Sequence, residues 1–245
     1  MATQGSDRIR ELAKELAAVA GSDLVSLVLY GSGTGPDYVE GLSDINFLVV
    51  VRASPLAVLT RLRPNWNRWR KQGLAVPLVV ERQFLRRAAD VFPMELTDLR
   101  ERHEVLFGED VLQEIVIDPD HLRRQLEFEL RSKWLKLGSI YVQGRDLGRS
   151  LDGILLEATK SFSILLRHLL RLTGNVPSPT YHEVAEQSER HLGLSLSVTK
   201  TLLEIRQQRR RWPSDRDGLL RDFLAEVEQA VQVADRLVLN RGYAG

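Results

Sequence analysis

Residues 24–51 read LVSLVLYGSGTGPDYVEGLSDINFLVVV, and this stretch decides the fold of the chain. Two apolar runs rich in β-forming residues, 24–30 and 45–51, flank a polar segment. That segment contains the breakers Gly31, Gly33 and Pro36 and has no apolar face of helical spacing. The stretch therefore predicts two buried strands joined by a turn-forming loop.

The segments around these two strands alternate between helical and strand-like patterns. Apolar spacing predicts helices over 7–20 and 55–71 and a short helix in RQFLRRAA, with further strands over 76–80 and 92–96. His103 falls in a stretch that we interpret as a polar helix with a solvated face. Strands interleaved with helices predict a mixed sheet covered by helices.

After residue 117 the strand pattern stops and only helical periodicity remains. Apolar residues recur every three or four positions from Leu122 to Tyr141, over 150–172 and over 215–240. We expect an α+β fold with two domains, a mixed sheet with helices over 1–117 and a helical bundle over 118–245. The Asp118-Pro119-Asp120 turn marks the predicted boundary.

Composition excludes several classes of site. The 245 residues contain no cysteine, which removes thiol nucleophiles, disulfides and Cys-ligated metals, so any metal must be bound through oxygen or nitrogen. The formal net charge of +1 produces no strong field for polyanions, and we do not expect nucleic acid to be the main partner. Apolar runs are too short to span a bilayer and the N-terminus lacks a signal-peptide core, so we expect a cytoplasmic protein without membrane contact.

Chemistry concentrates at the start of the second strand. Asp44 and Asn46 are separated by one residue, which in a strand places both side chains on one face and Ile45 on the other. Two neighbouring oxygen-bearing groups can hold Mg²⁺. The Gly31-Ser32 turn offers backbone N–H groups and a hydroxyl for phosphate oxygens. These residues are the minimum set for holding a metal–nucleoside triphosphate.

At these residues the chain resembles the DNA polymerase β-like nucleotidyltransferase superfamily. The signature of that superfamily is an apolar strand ending in Gly-Ser or Gly-Gly, a short gap, and Asp-x-Asp or Asp-x-Glu at the start of another apolar strand. The layout with a helical C-terminal domain is similar to the kanamycin nucleotidyltransferase type and to the minimal nucleotidyltransferases. The resemblance implies transfer of a nucleoside monophosphate from Mg²⁺-bound ATP or another NTP to a hydroxyl acceptor, which is a small molecule or a macromolecule.

The resemblance also implies three metal-binding carboxylates, and Asn46 stands where the second is expected. A unit charge pair at about 4 Å is worth roughly 4 kcal/mol at an effective dielectric constant near 20. Asn46 therefore raises the alternative of a catalytically weak or inactive nucleotide sensor. For the third carboxylate we favour Glu95, an acid within the apolar run 92–96, over Glu81, with Asp98 third. Since such bundles often pair, a homodimer remains an open alternative.

Overall fold

A computed structural model describes residues 2–34, 44–143 and 150–237, with side chains from residue 7 onward except that of Ser32. It contains a four-stranded sheet and helices in an α+β arrangement, and the predicted fold class is confirmed. The chain divides into two compact units, Met1–Asp118 and Pro119–Gly245. No helix in the described ranges is both long and apolar enough to cross a membrane.

The first unit contains all four strands of the sheet. In chain order its elements are α1 (Ala2–Ala20), β1 (Leu24–Tyr30), β2 (Asn46–Val51), α2 (Pro55–Leu62), α3 (Trp66–Arg70), β3 (Leu78–Glu81), α4 (Arg82–Arg87), α5 (Pro93–Glu101) and β4 (His103–Gly108). The order across the sheet is β3-β2-β1-β4. β1 is antiparallel to both β2 and β4, whereas β2 and β3 are parallel.

Both faces of the sheet are covered, which explains why β1 and β2 are apolar on both sides. One face of β2 presents Phe47 and Val49 to α1, α2 and α3. The other face presents Leu48 and Val50 to α5 and to the segment that follows β4. The alternation predicted for the start of β2 is therefore present, with Ile45 buried on the same side as Phe47.

Two predicted elements of the first unit are wrong. Residues 92–96 were expected as a strand but begin helix α5, where Pro93, Leu96 and Leu99 are buried at a spacing of three residues. Pro93 suits the first turn of a helix because its missing N–H has no partner to lose there. Residue His103 was expected in a helix but is the first residue of β4.

The helix expected over 55–71 is interrupted. Pro64 lies in a 3₁₀ turn, 63–65, between α2 and α3. A proline inside a helix removes one backbone hydrogen bond and clashes with the preceding turn, so the pattern continues while the helix does not.

The second unit is helical, as the periodicity predicted. Its described elements are α6 (Pro119–Gln143), α7 (Ser150–Leu172), α8 (Tyr181–Leu192), α9 (Ser197–Arg206) and α10 (Arg216–Asp235). α7 supplies the central buried stripe, and Phe162 meets Phe223 of α10 edge to face with ring centroids 5.7 Å apart. Such aromatic pairs add about 0.5–1.5 kcal/mol beyond the area that they bury.

Candidate functional site

The predicted phosphate turn follows directly from β1. Gly31 has a φ of +75°, a left-handed conformation that is readily adopted by glycine alone. The chain then makes a 3₁₀ turn over Gly31–Thr34, which is closed by a hydrogen bond of 2.8 Å from Thr34 Oγ1 to the backbone oxygen of Gly31. The side chain of Ser32 lies outside the described part of the structure, so its predicted hydroxyl contact stays a prediction.

The predicted metal ligands lie beside this turn. Asn46 pairs with Tyr30, the last residue of β1. A Cβ atom added to Gly31 would lie 3.5 Å from Asn46 Nδ2, so the turn and the amide are in near contact. Asn46 Nδ2 donates to the backbone oxygen of Asp44 at 3.3 Å, and Asp44 is exposed. The structure therefore brings Gly31, Asp44 and Asn46 together at one end of the sheet.

Backbone pairing fixes the position of Asp44. Ile45 forms an isolated parallel bridge with Leu74. Its N–H donates to the oxygen of Gly73 at 2.8 Å, and its oxygen accepts from the N–H of Ala75 at 3.0 Å. Because the buried Ile45 is held on the β3 side while Asn46 is paired to β1, Asp44 is attached to rigid backbone although its own side chain is in solvent.

Among the described residues, neither β1 nor β3 places a carboxylate beside Asp44. On the β3 side the neighbouring residues are apolar, Leu74, Ala75 and Val76. Glu81 pairs with Val51, the last residue of β2, five positions beyond Asn46. At about 3.3 Å per strand residue it lies roughly 16 Å along the sheet. Glu81 is therefore at the opposite end from Asp44.

Glu95 lies in the first turn of α5 and is exposed. On a helix its neighbours Met94 and Leu96 turn toward the core while Glu95 turns away, which accounts for an acid inside an apolar run without a metal. A carboxylate in a first turn is also favoured by the helix dipole. The strand placement on which the assignment of Glu95 rested is wrong, and its role as a ligand stays a prediction.

Sequence reasoning missed one polar pair at this end of the sheet. His103 is the register partner of Tyr30, which is itself the partner of Asn46. His103 Nε2 lies 3.2 Å from Asp110 Oδ2, and Nδ1 lies 3.1 Å from the backbone oxygen of Arg100. Each ring nitrogen therefore faces an oxygen of the protein rather than open solvent, so His103 is not placed to take a proton from a substrate.

Burial and hydrogen bonding oppose each other at this pair. Burial acts to raise the pKa of Asp110, but hydrogen bonds from His103, Gln113 and the backbone N–H of Leu112 outweigh it, and the pKa of Asp110 is lowered. Burial raises the pKa of Tyr30, which stays a neutral phenol at ordinary pH.

The only sequence signal for β4 is the short apolar run of Val105, Leu106 and Phe107 ending at Gly108.

The donor set fits one kind of magnesium site. Mg²⁺ is commonly bound through one or two carboxylates, with substrate phosphates and water completing its shell. Asp44 supplies a carboxylate and Asn46 an amide that can offer its oxygen. In the described ranges no group of three His, Cys, Asp or Glu residues could hold a metal ion. These residues suit an ion that arrives with a nucleotide, but they do not by themselves assemble a centre of three carboxylates.

Comparison with known proteins supports the fold. No protein-family model and no curated protein sequence matches the chain. Among solved structures, the chain is similar to the spectinomycin adenyltransferase of Enterococcus faecialis, determined with ATP and spectinomycin. The two share 13% sequence identity with a TM-score of 0.53, over 91% of this chain and 99% of that one. The chain therefore has a nucleotidyltransferase-like fold, as the resemblance in the sequence predicted.

Proposed function

We propose that the chain binds a magnesium–nucleoside triphosphate at the sheet end formed by Gly31, Ser32, Asp44 and Asn46 and transfers the nucleoside monophosphate to a hydroxyl group. The observation that carries the proposal is the near contact of the left-handed Gly31 turn with Asn46, beside the exposed Asp44. ATP and a small-molecule acceptor are the substrate classes that we favour, since the similar structure was solved with ATP and spectinomycin.

The chemistry assigns a distinct part to each residue. Backbone N–H groups of the Gly31–Thr34 turn hold phosphate oxygens, as turns of this kind bind anions. The Asp44 carboxylate and the Asn46 amide oxygen would hold Mg²⁺, which when bound would supply charge neutralisation on the phosphates. An acceptor hydroxyl oxygen attacks the α-phosphorus and its proton passes to solvent water, while the bond from the α-phosphorus to the bridging oxygen breaks and pyrophosphate leaves with that electron pair.

Asn46 favours a second candidate, a nucleotide-binding protein with little or no turnover. An amide carries no formal charge and cannot share a negative charge between two metal ions. A net loss of 3–4 kcal/mol in transition-state stabilisation corresponds to about 10²- to 10³-fold in rate. The residues beside Asp44 on the β3 side, Leu74, Ala75 and Val76, are apolar and add no charge for a metal ion, which also favours a binding protein with little turnover.

Calorimetric titration with Mg²⁺–ATP tests the proposed binding site. Asp44→Ala should weaken binding by about 30- to 150-fold, since a charge partner of this kind contributes roughly 2–3 kcal/mol after desolvation. The matched control is Asp90→Ala, an exposed acid in the turn between α4 and α5. If the wild-type protein binds no nucleoside triphosphate, or if Asp44→Ala changes nothing, the site assignment is wrong.

Pyrophosphate release separates transfer from binding alone. The wild-type protein and Asn46→Asp are assayed with ATP, Mg²⁺ and a panel of hydroxyl-bearing acceptors. Release by the wild-type protein supports transfer, whereas release that appears only in Asn46→Asp supports the binding protein. Glu95→Gln tests the predicted third ligand in both assays. If Glu95→Gln weakens binding and release as much as Asp44→Ala does, Glu95 is supported as the third ligand. If binding and release are both unchanged, Glu95 is not a ligand.

A further inference from the structure

The outer face of α6 carries apolar side chains in a heptad pattern. Phe128, Leu135 and Val142 follow one another at intervals of seven residues, and they are 67%, 61% and 86% exposed. They point away from the core of the second unit, to which α6 contributes a separate set of buried residues, Leu122, Leu126, Leu130, Leu137 and Ile140. A spacing of seven residues is close to two helical turns, so the three side chains lie on one seam of α6.

The same seam contains a hollow. A depression of about 540 Å³ lies at the C-terminal end of α6 and is lined by Leu135, Gly138, Ser139 and Val142, with Trp134 and Gln143 beside them and Leu224 of α10 at its side. Residues at positions i, i+3, i+4 and i+7 form the hole that receives one side chain of a facing helix. Gly138 and Ser139 are small, which leaves room for a large side chain.

We propose that α6 pairs with α6 of a second copy of this chain, antiparallel, with Phe128 of each copy in the hollow of the other. Phe128 and the hollow lie on the same seam of α6, about ten residues apart. A two-fold axis midway between them places Phe128 of each copy in the hollow of the other. Two identical contacts related in this way define an isologous interface. In the same register Leu135 enters the smaller hole between Phe128, Arg131, Ser132 and Leu135 of the partner.

The available area suits a stable dimer. α10 lies beside α6, where Arg131 binds Asp235 and Leu224 borders the hollow. α10 has 20 residues, so the two helices present a face about 30 Å long and about 20 Å wide. If the partner covers this whole outline, roughly 600 Å² per copy and 1,200 Å² in total are buried, which is the lower limit of specific protein–protein interfaces.

Light scattering of the full chain during gel filtration tests the pairing. We expect a wild-type mass of twice the 27.8 kDa of one chain. Leu135→Glu should return the mass to that of one chain, with an unchanged helical circular dichroism spectrum because Leu135 is exposed. Val176→Glu, at a position 87% exposed in the second unit, should remain dimeric. A wild-type protein that stays monomeric at about 50 µM overturns the proposal.

Cross-linking through introduced cysteines tests the register. Because the sequence contains no cysteine, each single substitution gives one thiol per chain. Ser132→Cys and Ser139→Cys are matched substitutions one heptad apart. In the antiparallel register the two Ser132 positions lie about 5 Å apart along the helix axis and the two Ser139 positions about 17 Å apart. A bis-maleimide reagent shorter than the longer separation should link only Ser132→Cys. Cross-linking of both variants indicates parallel helices and overturns the antiparallel register. Cross-linking of neither variant shows that this face of α6 is not the interface.

Discussion

Glu226→Gln is the substitution whose effect the structure defines best. Glu226 of α10 is only 4% exposed, and its carboxylate accepts three hydrogen bonds at the start of α9. Oε1 accepts from the N–H of Val198 at 2.6 Å, and Oε2 accepts from the N–H and Oγ1 of Thr199 at 2.8 and 2.6 Å. The N-cap residue Leu196 provides no side-chain cap. A carboxylate from another helix therefore caps α9.

The cost follows from the number of donors that lose an acceptor. A glutamine has one acceptor oxygen, so with that oxygen on Thr199 the amide NH₂ faces the N–H of Val198. One unsatisfied buried donor costs about 1–3 kcal/mol. Glu226→Ala leaves both backbone donors without an acceptor and should cost about 2–6 kcal/mol. At roughly 3–4 °C per kcal/mol, Glu226→Gln lowers the Tm of the second unit by about 3–12 °C.

Thermal unfolding followed by circular dichroism at 222 nm checks this prediction. Glu228→Gln is the control, because Glu228 is an exposed acid on the same helix and such changes stay within about 0.5 kcal/mol. If Glu226→Gln is as stable as the wild-type protein at pH 7, the removal of a buried charge raises the free energy of unfolding as much as the lost hydrogen bond lowers it. The capping argument would then be refuted.

The same substitution has a pH dependence of known sign. Burial raises the pKa of Glu226 above its ordinary value of 4.5, although hydrogen bonds from Thr199 and Val198 act to lower it. A raised pKa means that the folded state binds the proton more tightly than the unfolded state does. The advantage of the wild-type protein over Glu226→Gln is therefore largest below about pH 4.5 and decreases as the pH rises through the raised pKa.

Two further predictions concern the first unit. Gly31→Ala should cost about 1–2 kcal/mol, because a Cβ is strained at a φ of +75°. Thermal melts check it against Gly153→Ala, a helical glycine with open space that should be neutral or stabilising. Hydrogen bonds from Arg68 and Trp69 lower the pKa of Glu15, so its contribution to stability is present above the ordinary value of 4.5 and lost as the pH falls through the lowered pKa. Glu15→Gln should flatten the acid side of a stability–pH curve, and an unchanged curve would contradict this.

The spacing of apolar residues was sufficient to predict an element as helix or strand wherever the element was long or its pattern unambiguous. The strands on either side of Gly31 are short continuous apolar runs bounded by turn residues, as strands buried on both faces are, and the helices of the second unit repeat apolar residues every three or four positions over several turns. The short run 92–96 was not resolved in this way. Five apolar-rich residues fit a buried strand or the first turn of a helix equally well, and the packing of Leu96 and Leu99 against the sheet decided for the helix.

The sequence by itself determined the strands, the glycine turn and the pair Asp44 and Asn46, because all of them lie in the single stretch 24–51 and strand geometry places Asp44 and Asn46 on one face. Only the tertiary structure decided which distant residues join them. It placed Glu81 at the opposite end of the sheet, Glu95 on a helix and His103 in the row of Asn46. It also paired Glu226 with an α9 terminus 27 residues away, a contact that no local pattern records. Such contacts depend on how whole elements pack, and packing is set by the shapes of the faces that they bury.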